Sequence, residues 1–217
     1  MGEATPLILW LRQDLRLADN PALTAATETG RPLIVLYILD EDSPGQWVPG
    51  GASRWWLGRS LAALAHSLRK RGVRLTLRRG EAGAILEAVI EETGAGAVYW
   101  NRCYEPWAIA RDKRIKARLA ALGREARSFN AALLHEPWTI QTGSGGPFKV
   151  FTPFWRAVLA KGAPAPASPR PAGWQQQLRT PSAPMPSRIG ACIQRRPIGR
   201  AVLPRPGSRA KPVPPAG

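Results

Sequence analysis

Acidic residues are missing from the last 55 positions of this chain. The 217-residue sequence holds 31 Lys+Arg and 15 Asp+Glu, and all 15 acids fall within residues 1–162. Residues 163–217 carry nine basic groups, 13 of the 22 prolines and a single aromatic, Trp174. Such a Pro/Arg-rich stretch has almost nothing to bury and is expected to be disordered. Residues 1–162, with a net charge of +7, are long enough to bury a core. Cysteine is scarce: Cys103 and Cys192 lie in segments of opposite character, so no structural disulfide is expected. With no CxxC and only His66 and His135, a zinc site is not expected either. The longest apolar run, Leu33–Leu39, is too short to cross a bilayer, so no membrane partner is expected. The opening MGEATP has neither a basic nor an apolar signal region, which points to a cytoplasmic protein.

What is present is alternation. Short apolar runs occur at Leu7–Leu11, Leu33–Leu39, Val73–Leu77, Ala97–Trp100 and Ala126–Phe129. Apolar runs without period-2 alternation suit strands buried on both faces. Helical patterns separate them. Pro21–Glu28 follows the cap candidates Asp19 and Asn20 and stops at Gly30. Ser53–Arg71 spaces Leu57, Leu61, Leu64 and Leu68 along one face, and Ala82–Thr93 does the same with Ile85, Val89 and Ile90. A fourth helix runs from Pro106 toward Gly123, with Ile115, Leu119 and Leu122 inward and Arg111, Lys113, Arg114, Lys116 and Arg118 on the other face. Four strand–helix repeats predict an α/β fold: a five-stranded parallel Rossmann-like sheet with helices on both faces. Its ligand site is expected beyond the carboxyl ends of the strands.

The loops at those ends carry the candidates. Glycine is absent between Gly2 and Gly30, which disfavours a GxGxxG pyrophosphate cradle after the first strand. Arg12, Asp14 and Arg16 stand there instead. Asp14 and Arg16 read as an internal ion pair, and Arg12 as the ligand candidate. Asp40 and Glu105 can reach one crevice, either to hold the N–H groups of a heterocycle or to cap neighbouring helices. As an acid/base pair they would have no nucleophile or metal to work with, so hydrolytic chemistry is not supported. His66 and His135 read as surface or packing residues. Tryptophans gather around the same loops, and a flat indole suits a planar ligand. Trp56 and Trp100 are assigned to helix-to-sheet packing, and Trp47, in a Gly/Pro loop, to a ligand wall.

Four segments in order then become specific: LWLRQDLRLADNPAL (9–23), RWWLGRSLAALAHSLRKRG (54–72), VYWNRCYEPWAIARDKRIK (98–116) and SFNAALLHEPWTIQTGSGGPFKVFTPFW (128–155). Together they resemble the DNA photolyase/cryptochrome family over about residues 6–161, and within it the N-terminal domain of bacterial class I cyclobutane pyrimidine dimer photolyases. The resemblance implies a domain that binds a light-harvesting antenna chromophore: a folate, a deazaflavin or a flavin nucleotide. It further implies transfer of excitation to a reduced FAD in a C-terminal helical domain, with damaged DNA as the partner of the full-length, monomeric enzyme. Matching segments nominate Arg12, the Tyr37–Asp40 strand end, Trp47, Asn101, Tyr104, Glu105 and Arg111 for the chromophore, and Lys149 for the domain junction. Folate-using relatives tend to carry Asn-Glu shortly after the tyrosine-glutamate step. This chain has Trp107-Ala108, which favours a deazaflavin or flavin over folate.

The resemblance ends near Gly162, so residues 1–162 are expected to form the antenna domain with the start of an interdomain linker. The FAD domain is expected to be absent, and repair by this chain alone is not expected. Residues 163–217 have the composition of GC-rich DNA read out of frame; the competing reading is a genuine nucleic-acid-binding tail. Functionally the expectation is a light-driven photolyase. The alternatives are a cryptochrome-type photoreceptor and a stand-alone nucleotide-binding module with a basic tail. Residues 150–160 are expected to expose Phe151, Phe154 and Trp155.

Overall fold

The computed structural model describes residues 4–164 and 166–172. Its strands are β1 (Leu7–Leu11), β2 (Leu33–Leu39), β3 (Leu75–Arg79), β4 (Ala97–Asn101) and β5 (Glu125–Phe129). They form one parallel sheet in the order β3-β2-β1-β4-β5. The helices are α1 (Pro21–Glu28), α2 (Gly51–Arg69), α3 (Ala82–Thr93), α4 (Pro106–Ala121) and α5 (Phe151–Ala160). This is the α/β architecture that the strand–helix alternation predicts.

Alternation along β1 builds both halves of the core. Leu7, Leu9 and Leu11 face α1 and α2, where Leu23, Leu61, Leu64 and Leu68 are buried. Ile8 and Trp10 face α3 and α4, against Leu86, Val89, Ile115 and Leu119. Trp10 and Trp100 meet edge to face on that second side, with ring centroids 5.8 Å apart. The helix ends follow local chemistry. Asn20 caps α1 by accepting from the Leu23 N–H at 3.1 Å, with Pro21 in the first turn. Gly94, at φ +66°, closes α3 in the left-handed region.

The edge strands and α4 depart from the sequence reading. β3 begins two residues later than Val73 and continues through Arg78 and Arg79, which pair in register with Ile38 and Leu39. Ion pairs let these arginines stay in the strand: Arg78 reaches Glu92 at 2.9 Å and Arg79 reaches Glu41 at 2.5 Å. On α4, Arg111 is not on the outer face. It lies four residues before Ile115 and eight before Leu119, so it shares their buried side. Leu122 is 41% exposed rather than inward, because α4 ends at Ala121 and the chain turns through Gly123 at φ +65°. Trp100 is buried as expected, but Trp56 is 68% exposed, since it sits on the solvent side of the first turns of α2.

α5 buries none of its residues, and Phe151, Phe154 and Trp155 lie open, as the sequence led us to expect. Beyond it the chain folds back to the β1–α1 loop. The Asp19 N–H donates to the Ser168 carbonyl at 2.8 Å, and the Ser168 N–H donates to Asp19 Oδ1 at 3.1 Å. The expectations of a disordered or out-of-frame tail fall, from Gly173 onward, outside the described residues.

Candidate functional site

A cleft of about 660 Å³ opens beyond the carboxyl ends of β1 and β2 and against the start of α4. β1 supplies Trp10 and, one residue past its end, Arg12; β2 supplies Tyr37 through Leu39, followed by Asp40; the β4–α4 connection supplies Cys103, Glu105 and Trp107. Trp47 stands on the outer wall, 70% exposed, in the short 3-10 turn Gly45–Trp47. The position is the one that a parallel sheet with outward-running helices leaves open, where β1 is flanked by β2 and β4. Its size and mix of aromatic walls with a few polar groups suit a small organic ligand.

The floor of the cleft is a buried charge network. Arg12 Nη1 donates to both carboxylate oxygens of Asp112, at 3.0 and 2.8 Å. Arg111 binds the same carboxylate through Nε at 3.1 Å and Nη2 at 3.0 Å, and its Nη1 lies 3.6 Å from Asp40 Oδ2. Both guanidinium groups lie over Trp10, 4.8 and 5.0 Å from the ring centre. Asp40 is engaged with its own surroundings. It accepts from the Ser43 N–H at 2.9 Å and hydroxyl at 2.5 Å, and from the Ala82 N–H of α3 at 3.3 Å. Of the two roles open to Asp40, capping a neighbouring helix is the one in place.

Three polar atoms on lining residues have no hydrogen-bond partner and are buried: Trp10 Nε1, Arg12 Nε and Glu105 Oε2. The other Glu105 oxygen accepts from Gln13 Nε2 at 2.8 Å. Burial opposes ionisation of Glu105, but the Gln13 hydrogen bond, its own backbone amide and the nearby Arg12 and Arg111 outweigh it. The carboxyl is held below its ordinary range and is ionised at neutral pH. The neighbouring Cys103 goes the other way: burial pushes its thiol up to about 11, so it stays protonated.

Six of the eight candidates read from the sequence line this one cleft: Arg12, Tyr37, Asp40, Trp47, Glu105 and Arg111. Asn101 and Tyr104 do not. Asn101 is buried behind it, where Nδ2 donates to Asp14 Oδ2 at 2.5 Å and to Asn20 Oδ1 at 2.7 Å, and Oδ1 accepts from the Ala22 N–H at 3.0 Å. Tyr104 points to the β5 side, its hydroxyl 3.2 Å from Asn130 Oδ1. Asp14 does not pair with Arg16 through its side chain; it accepts from the Arg12 N–H at 2.8 Å and from Asn101. Arg16 turns away to the carbonyls of Asp19 and Ala131, at 2.9 and 2.8 Å. Sequence reasoning missed Asp112, although the signal was there: it is the one acid on the otherwise basic α4. Trp10, hidden in a run that reads as pure core, was missed for want of any signal.

The sequence profile described as DNA photolyase matches residues 7–172. The chain belongs to the DNA photolyase family. It is 52% identical over 168 residues to a deoxyribodipyrimidine photo-lyase of Agrobacterium fabrum, covering 77% of this chain and 34% of that protein. To cryptochrome-1 of Arabidopsis thaliana it is 44% identical over 154 residues, 70% of this chain and 22% of the relative. The crystal structure of a bacterial class III photolyase from Agrobacterium tumefaciens superposes with a TM-score of 0.77 at 44% identity, covering 88% of this chain and 38% of that one. The photolyase-family chain thus spans about a third of the length of the photo-lyase it matches.

Proposed function

We propose that residues 1–162 are the light-collecting domain of a deoxyribodipyrimidine photo-lyase, and that the cleft at the strand ends holds its antenna chromophore. The observation that carries this reading is the set of unpartnered buried atoms on one cleft wall and floor: two donors, Arg12 Nε and Trp10 Nε1, and one acceptor, Glu105 Oε2. Buried polar groups without partners are uncommon and mark places where something else supplies the bond. One acceptor with two donors complements a ring edge that offers carbonyl, N–H and carbonyl, which is the edge of a flavin or deazaflavin. A pterin edge, with amino and N–H groups beside one carbonyl, asks for two acceptors. The unpartnered set therefore favours a deazaflavin or flavin over folate, as does the presence of Trp107 and the fully buried Ala108 where a polar pair would serve folate.

Such a chromophore, when bound, absorbs near-ultraviolet or blue light and passes the excitation on. The residues do the rest. Trp47 and Trp107 offer flat apolar walls, and Tyr37 and Leu57 line the cleft beside them. Glu105, ionised, accepts a ring N–H, while Arg12 donates to a carbonyl. Reduced FAD, electron transfer and damaged DNA belong to our reading of the full-length protein, and no described residue is assigned to them. Residues 173–217 follow the segment that matches the family. Within the family we place the chain with class III rather than class I, because the class III structure is 44% identical over 88% of the chain. Repair is preferred to a photoreceptor role because identity to the photo-lyase, 52%, exceeds the 44% to cryptochrome-1. A stand-alone nucleotide module does not account for a family match over residues 7–172.

Mass and absorption spectra of the small molecule released from the purified protein test the reading. A flavin or deazaflavin is expected. A released folate would overturn the chromophore assignment.

A further inference from the structure

We propose that Asp112 is a positioning residue that closes the charge of the cleft and thereby selects a chromophore that brings no phosphate into it. The inference rests on the reading of the cleft as a chromophore site. Asp112 lies on α4 behind the cleft floor, only 8% exposed, and is a meeting point for three side chains. It accepts from Arg12 at 2.8 and 3.0 Å, from Arg111 at 3.0 and 3.1 Å, and from Trp100 Nε1 at 3.0 Å. Arg12 is held through Nη1 by Asp112 and through Nη2 by the Asn101 carbonyl, so its Nε is the guanidinium nitrogen left without a partner. Together with the Asn101 carbonyl, Asp112 thus fixes which edge of Arg12 remains available, without touching a ligand itself.

The same pairing removes the cleft's positive charge. Arg12 is matched by Asp112, Arg111 by Asp112 and by Asp40 at 3.6 Å, and Arg54 by Glu41 at 2.8 Å. Among the described residues that line the cleft, no cation lacks a carboxylate, whereas Glu105 has no cationic partner at hydrogen-bond distance. Phosphate sites are built from unmatched arginine or lysine, or from clustered backbone N–H groups. This cleft offers uncharged-ring recognition instead: single donors, a single acceptor and aromatic walls. The ligand class that fits is a planar heterocycle with a neutral substituent.

The test is a pair of titrations of the full chain, with riboflavin and with FMN, which share one ring and differ by the phosphate. The wild-type protein is expected to bind FMN no more tightly than riboflavin. Asp112→Asn leaves Arg12 and Arg111 under-neutralised and is expected to move the affinity ratio roughly tenfold toward FMN, a shift that shrinks in salt. Arg12→Met, which leaves Asp112 in excess, is expected to move the ratio the opposite way. A merely structural aspartate would weaken both ligands alike. An unchanged ratio in a folded Asp112→Asn protein, checked by circular dichroism, overturns the inference. If Asp112→Asn does not fold, Arg12→Met decides: an unchanged ratio there overturns it as well. Wild-type protein that prefers FMN tenfold would also overturn it, while leaving the cleft as the chromophore site. Wild-type protein that, freed of any resident chromophore, takes up neither flavin and that releases no deazaflavin on purification refutes the parent reading, and this inference falls with it.

Discussion

Asn101 Oδ1 accepts the backbone N–H of Ala22 at 3.0 Å and so ties the end of β4 to the first turn of α1. The bond places a buried amide between the two central strands and the loop that carries Arg12. It shows that a polar residue at a strand end can hold the walls of a site without entering it.

Replacing Asn101 by Ala should therefore destabilise the fold rather than act on the ligand. It strands the Ala22 N–H, Asp14 and Asn20 in a buried setting, at a cost of roughly 3 kcal/mol. Tyr104→Phe removes a partly buried hydroxyl that reaches Asn130, Arg102 and Glu136 and should cost about 1 kcal/mol, with chromophore affinity unchanged. Urea unfolding of both variants, read beside a binding titration, checks the contrast.

Glu105 predicts a pH dependence. Its folded value lies below the ordinary carboxylate value, so the unfolded chain binds the proton more readily. Its contribution is present above the unfolded value and is lost as the pH falls below that value and through the lower, folded one. Stability measured across that window should fall less steeply in Glu105→Gln than in the wild type. Equal slopes would show that the carboxyl is not held down by Gln13, Arg12 and Arg111.

Cys103 should be inert in the native protein. With its thiol pushed up to about 11 by burial, almost no thiolate exists at neutral pH. Alkylation at Cys103, mapped by peptide mass, is expected to run roughly 100-fold slower in native protein than in denaturant. Comparable rates would contradict the burial.

The outer face of α5 predicts self-association. Phe151 and Trp155 stack with centroids 6.2 Å apart on a helix that buries nothing. Phe151→Ser with Trp155→Ser should lower the sedimentation-detected association while shifting the unfolding midpoint little, since exposed residues contribute little to stability. A large loss of stability would mean that α5 packs on the domain more closely than this.

The central sheet was legible because β1, β2 and β4 are buried on both faces and carry unbroken apolar runs. Strand β3 was read two residues early because a one-sided edge can accommodate Arg78 and Arg79, whose ion pairs substitute for apolar cover. The site was legible as a set of loops, since a parallel sheet fixes where its strand ends converge. Its inner layer was not. Arg111 looks like one more outward cation on a basic helix, and only its partners Asp40 and Asp112, 71 and one residues away, make it an inward one. Trp56 misled for the converse reason: hydrophobicity alone does not say which side of α2 a residue faces.

The central claim, that the strand-end cleft is where the chromophore sits, is tested most directly by hydrogen exchange of the protein with and without its chromophore. Slowed exchange is expected in residues 38–49 and 103–108, two segments that line the cleft. A chromophore that binds while leaving both segments unchanged, and slows exchange only elsewhere in the domain, would contradict the account.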